Sequence, residues 1–237
     1  MIITQNIEDI RRRMAEAAKR SGRDPSGILL IAVTKLHEPD EIEEAIAAGV
    51  TDIAENKVQE IQHKYDLIRP PVRWHLIGHL QTNKVKYIID KVVMIHSVDS
   101  LKLAEEIDKR AAAAGKTMDV LLQVNAAHEE SKFGLDPKDV PQVMQDILDN
   151  CPNVKIRGLM HIAPWADDPE EIRPYFREVK ELYDTLAKVD HPNADFAYLS
   201  MGMSHDFETA IEEGSNIIRV GTSIFGERDY SKKMGGM

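Results

Sequence analysis

The sequence predicts an α/β fold, a single-domain (β/α)8 barrel covering residues 1–237, and three observations lead there. Apolar runs of strand length alternate with helical patterns about eight times, with no low-complexity linker between them. The first run, ILLIAVTK at 28–35, is unbroken rather than alternating, as in strands covered on both faces of a parallel sheet. The turn after it, VTKLHEP, has no glycine, whereas the open doubly wound alternative usually carries a Gly-rich turn there.

The elements follow in order. Ile7, Ile10, Met14 and Ala17 sit at helical spacing ahead of Gly22. A strand at 28–34 comes next, then a helix opened by Pro39 and closed by Gly49, with Ile42, Ala45 and Ile46 as its stripe. Residues 51–54 read as a strand. Asn56 can cap a helix bearing Val58, Ile61 and Tyr65, which Pro70 and Pro71 terminate. A strand at 72–77 precedes a helix capped by Thr82 and running through Ile89. A strand at 92–98 precedes a helix from about 100 to 114, stopped by Gly115.

The second half repeats the pattern. A strand at 118–124 and a polar loop at 126–135 lead to Asp136-Pro137, read as a cap and a first-turn proline. That helix carries Val140, Val143, Met144, Ile147 and Leu148. After a strand at 154–160, Ile172, Phe176, Val179, Leu182, Tyr183 and Leu186 mark a long helix whose start Pro174 leaves open. The seventh strand is 196–200. Ser204 caps a helix to Glu213, and 217–220 is the eighth strand. Barrels place chemistry where strands end, so the functional candidates are Lys35, Glu55-Asn56, Gly78-His79, Asn125, His161, Ser200 to Gly202, and Gly221-Thr222.

Composition excludes several classes. Forty acids against thirty bases leave a net charge of −10, which repels nucleic acid and anionic membranes. No apolar run approaches the roughly 18 residues of a membrane span. The amino terminus, MIITQNIEDIRRR, turns polar too soon for a signal peptide. Cys151 is the single cysteine, so no internal disulfide forms and a cytoplasmic location is expected. Between Asn150 and Pro152, at a helix–strand junction, it reads as an incidental thiol. His75, His79, His96, His161 and His205 show no tight cluster with acids, so no metal site is expected.

At the expected barrel mouth, Lys35 either reaches for solvent or offers an amine to a ligand. Gly221, Thr222 and Ser223 after the eighth strand, with Ser200-Met201-Gly202 after the seventh, form either ordinary turns or two halves of a phosphate cradle. Arg219 lies inside an apolar strand, where an unpaired guanidinium is costly. Strand alternation puts it on the same face as Gly221. An amine, a phosphate cradle and a buried arginine together suit pyridoxal 5'-phosphate (PLP), with its aldehyde, phosphate and ring nitrogen. A phosphosugar aldolase uses the first two and leaves Arg219 without a role.

The segments AVTK (32–35), AENKVQE (54–60), WHLIGHLQTNK (74–84), SKFGL (131–135), RGLM (157–160), LSMGMSHDFETAIEEGS (199–215) and IRVGTSIFGERDY (218–230) resemble the pyridoxal phosphate homeostasis proteins. These are single-domain relatives of the alanine racemase barrel, and the likeness covers nearly the whole chain. The resemblance implies that Lys35 forms the Schiff base and that Ser200, Gly221 and Thr222 bind the phosphate. It implies that Arg219 faces the pyridine nitrogen and that Asn56 lines the pocket. It also implies a non-catalytic cofactor carrier with PLP-dependent apoenzymes as partners, and a weak amino-acid racemase is the alternative. Ala54 departs from the glycine common in the family. The related racemases complete their site with a partner subunit carrying an additional β-domain, which this sequence lacks; a monomer is therefore expected.

Overall fold

The computed structural model describes residues 2–129 and 133–226. Ser131, Lys132 and residues 227–230 of the motif segments quoted above lie outside them. The expected barrel is present. Eight parallel strands close in sequence order: β1 (Leu29–Val33), β2 (Asp52–Glu55), β3 (Arg73–Leu76), β4 (Met94–Val98), β5 (Met118–Val124), β6 (Val154–His161), β7 (Ala194–Ser200) and β8 (Ile217–Val220). Closure is made by β1 against β8, with Leu29 opposite Ile217 and Ala32 opposite Val220.

The helices are α1 (Ile2–Arg20), α2 (Pro39–Ala47), α3 (Val58–Lys64), α4 (Leu101–Ala113), α5 (Val140–Asn150), α6 (Arg173–Leu186), α7 (Phe207–Glu212) and α8 (Thr222–Phe225). Their apolar faces meet the outward faces of the strands. Leu30 and Ala32 of β1, Ile53 of β2, Trp74 and Leu76 of β3, and Ile218 and Val220 of β8 belong to this outer layer. The alternate residues point inward. Ile31, Val33, Ala54, Ile77 and Ile217 form one interior cluster, and Met94, Leu121 and Met160 another. Period-two alternation is therefore present, hidden in the sequence because both faces are apolar over most of each strand. Ala54 places its methyl in the first interior cluster, fully buried.

The structure changes or fixes several helix starts; α3 begins at Val58 after Lys57, so Asn56 does not cap it. Residues 82–87 form a 3-10 helix rather than an α-helix, with Lys84 N–H donating to Gln81 O and Ile88 N–H to Val85 O. Val85 is its one buried residue, so there is little apolar face to extend it. Asp136 is not the cap of α5. Its carboxylate accepts the Lys138 amide in a local turn, and the helix begins at Val140. Pro174, which left the start of α6 open, lies in that helix's first turn, where its missing N–H costs nothing. Ser204 does not cap α7, which begins at Phe207; it lies at the barrel mouth instead.

Candidate functional site

The carboxyl ends of β1, β2, β3, β6, β7 and β8 surround a cavity of about 380 Å³. Lys35 and Asn56 line one side. Arg219 comes from β8 itself, Ile77 directly follows β3, and Gly221, Thr222, Met203 and Ser204 follow β8 and β7. Arg219 and Gly221 reach the same cavity, as their shared face requires. Ser204 Oγ accepts the Ser223 amide at 3.3 Å, which joins the two loops side by side. The first of these loops depends on Gly202. Its φ is +93°, and a Cβ there would sit 2.8 Å from Ala210 Cβ and Phe207 Cα.

Asn56 shows the clearest sign of an open binding requirement. Its Oδ1 is buried and accepts no hydrogen bond. A buried amide oxygen left bare costs on the order of 1–3 kcal/mol, so a ligand donor there would be favourable. Gly78 allows Asn56 to sit where it does, because a Cβ at 78 would fall 2.2 Å from Asn56 O. A second cavity of about 320 Å³, lined by Gln123, Asn125, Phe133 and His79, shares Asn56, Ile77 and Ile162 with the first.

Arg219 is fully inside the protein and yet satisfied. Nη1 donates to Ser200 Oγ at 2.6 Å and Nη2 to His161 O at 2.8 Å. Burial lowers its pKa to about 10, which leaves it cationic at neutral pH. Behind it a line of polar groups crosses the barrel interior. His96 Nδ1 lies 3.1 Å from Ser200 Oγ, His96 Nε2 lies 3.0 Å from His75 Nδ1, and His75 Nε2 lies 2.8 Å from Asp52 Oδ1. Asp52 Oδ2 also accepts from Arg73 and Thr51, each at 2.7 Å. Burial pushes the Asp52 carboxyl upward, but the hydrogen bonds from His75, Arg73 and Thr51 outweigh it and hold Asp52 ionised. Burial, with His75 and Arg219 nearby, drives His96 well below the ordinary imidazole range, so its ring is neutral.

Those charge states fix the hydrogen bonds at the two ends of the line. Asp52 Oδ1 accepts from His75 Nε2, and Ser200 Oγ accepts from Arg219 Nη1. Ser200 is thereby occupied. It is fully buried and is not among the residues lining the cavity. Ser200, expected to bind the phosphate, does not line this cavity, whereas Ser204, four residues on, does. Lys35, Asn56, Arg219, Gly221 and Thr222 do converge.

The family model for alanine racemase, N-terminal domain, matches residues 3–229. A pyridoxal phosphate homeostasis protein of Aquifex aeolicus is 44% identical over 95% of this chain and 98% of its own. Another, of Pseudomonas aeruginosa, is 38% identical over 96% of each chain. The chain belongs to this family. Among solved structures, PipY of Synechococcus elongatus PCC7942 with PLP bound superposes at a TM-score of 0.76, with 37% identity, 90% of this chain and 100% of that one covered.

Within this family's barrel, Asp52 is an interior polar residue the sequence reading left out, and His75 and His96 were weighed there only as metal ligands. Asp52, His75 and His96 were legible as polar residues at alternating, inward positions of otherwise apolar strands. Ser204 offered no such signal, since a serine four residues before a helical stripe reads equally well as a cap.

Proposed function

We propose that this protein binds PLP reversibly through a Schiff base on Lys35 and serves as a carrier of the cofactor rather than a catalyst. The observation that carries the reading is the convergence on one cavity of the Lys35 amine, the Arg219 guanidinium and the Gly221–Thr222 and Met203–Ser204 loops. The residues suit the group: Lys35 for the aldehyde, Arg219 for the ring nitrogen, Gly221, Thr222 and Ser204 for the phosphate, and the bare Asn56 Oδ1 for a ligand hydrogen-bond donor. When bound, the cofactor supplies an electrophilic aldehyde and an electron-withdrawing ring. Support also comes from the relatives named as homeostasis proteins and from the PLP in PipY.

Arg219 argues for carriage. A guanidinium with a pKa of about 10 does not pass its proton to a pyridine nitrogen. The ring stays neutral and withdraws electrons weakly, so the amine can be loaded and released without cleaving bonds at a substrate carbon. Delivery goes to PLP-dependent apoenzymes, by a monomer in the cytoplasm. Among the described residues, no helix is long and apolar enough to cross a membrane.

The test is borohydride reduction of protein incubated with PLP, followed by peptide mass mapping. A reduced adduct on Lys35 that is absent from Lys35→Ala is the expected result; a full-length wild-type protein with no adduct overturns the reading. Incubation of loaded protein with single amino-acid enantiomers in heavy water tests the racemase alternative. Deuterium at the α-carbon, accumulating at enzymatic rates, would make the protein a catalyst.

A further inference from the structure

The turn that presents Lys35 holds a conformation its own residues disfavour. Leu36 has φ +66°, in the left-handed region that a β-carbon makes costly by roughly 1–3 kcal/mol. Its side chain is exposed, so apolar burial does little to offset that cost. Within the turn His37 N–H donates to Thr34 O at 3.1 Å, and further compensation comes from α3. Glu60 Oε2 accepts the Leu36 amide at 2.8 Å. One turn later, Lys64 Nζ donates to Thr34 O at 2.8 Å, to Glu55 Oε1 at 2.8 Å and to Glu60 Oε2 at 3.2 Å. Thr34 Oγ1 donates to the same Glu55 oxygen at 2.6 Å.

The two backbone groups held this way are specific ones. Thr34 O and Leu36 N–H belong to the peptide units on either side of Lys35. Both are clamped by a buried Glu55–Lys64–Glu60 cluster, and none of those three side chains lines the cavity. Such a cluster is a poor device for bulk stability, since apolar residues of equal volume commonly stabilise as well or better. It is well suited to fixing the orientation of a backbone segment, because each contact is directional.

We propose that Glu60 and Lys64 are positioning residues, which clamp the peptide units flanking Lys35 and so aim its amine into the cavity for condensation with an aldehyde. The inference rests on Lys35 being the condensing amine. Loss of the clamp leaves the cavity walls in place but lets the Lys35 backbone relax away from its left-handed neighbour.

The experiment separates imine formation from non-covalent binding. The rate of imine formation with PLP is followed by stopped-flow visible absorbance in wild type, Glu60→Ala, Lys64→Met, Leu36→Gly and Glu60→Ala/Leu36→Gly. Non-covalent affinity is measured by fluorescence titration in Lys35→Ala with and without Glu60→Ala. Glu60→Ala is expected to slow imine formation about tenfold, the kinetic equivalent of ~1.4 kcal/mol. Lys64→Met slows it as well, and non-covalent affinity changes less than about twofold, under ~0.4 kcal/mol. Leu36→Gly restores most of the rate in the Glu60→Ala background, because glycine adopts the left-handed conformation without strain.

A Glu60→Ala rate equal to that of wild type overturns the proposal. So does a slowed rate that Leu36→Gly fails to restore while non-covalent affinity falls in parallel, which would mean the cluster shapes the whole cavity. Should Glu60→Ala not fold by circular dichroism, the isosteric Glu60→Gln, with and without Leu36→Gly, is judged by the same criteria. A wild-type protein that forms no Lys35 adduct refutes the carrier reading instead, so the two failures are distinguishable.

Discussion

Replacing Ser200 with alanine separates its expected role as a phosphate ligand from the role its surroundings assign it. The hydroxyl accepts from Arg219 Nη1 at 2.6 Å and stands 3.1 Å from His96 Nδ1. Ser200→Ala strips a hydrogen-bond partner from a fully buried guanidinium and from a buried imidazole nitrogen. Each unsatisfied buried group costs about 1–3 kcal/mol, more where it is charged, so the expected loss is about 3 kcal/mol. For a chain of this size that lowers the melting temperature by roughly 6–12 °C. The assay is urea unfolding of cofactor-free protein, with the midpoint falling and the slope unchanged. PLP affinity of the folded variant is expected to drop less than about tenfold, under ~1.4 kcal/mol, because the phosphate loops are untouched. A cofactor-free variant as stable as wild type within about 0.5 kcal/mol, with PLP binding abolished, would refute the reasoning and return Ser200 to the ligand.

Gly78→Ala drives a Cβ to 2.2 Å from Asn56 O, so the backbone must shift; a loss of about 1–3 kcal/mol in urea unfolding, with weakened PLP binding, is expected. Burial outweighs Lys64 and raises the Glu55 carboxyl to about 7, above its ordinary 4.5. The folded state therefore binds more protons than the unfolded state between those values, and this contribution to stability is full below about pH 4.5 and lost as pH rises through about 7. Unfolding across pH 5–8, compared with Glu55→Gln, should show a downward slope in wild type that the variant lacks. Burial, with Asp108 and Glu105 nearby, pushes the Cys151 thiol up to about 11. A thiol reagent at pH 8 should leave native protein nearly unlabelled and modify the urea-unfolded chain fully.

How much was legible follows from the chemistry of particular residues. The helical stripes of α1, α2 and α6 and the unbroken β1 run could be read directly, since apolar periodicity is a local property. Lys35, Asn56, Arg219, Gly221 and Thr222 could be grouped because barrels collect strand ends at one face. Ser200 and Ser204 could not be told apart. Both are small hydroxyl residues, one ending β7 and one in the loop after it, and which lines the cavity depends on where Arg219 and His96 reach across the barrel. The starts of α5 and α7 were missed for a similar reason: a carboxylate or hydroxyl that can cap a helix can equally satisfy a nearby turn amide.

By itself the sequence determined the barrel, its strand order and the set of polar residues at its mouth, because these follow from periodicity and short connections between successive elements. The tertiary structure alone decided that Asp52, His75, His96, Ser200 and Arg219 form one hydrogen-bonded line, and that Glu55, Glu60 and Lys64 hold the backbone on both sides of Lys35. Those hydrogen bonds join residues on different strands and helices. Their formation depends on angstrom-scale distances across the closed barrel, which residue spacing along the chain does not encode.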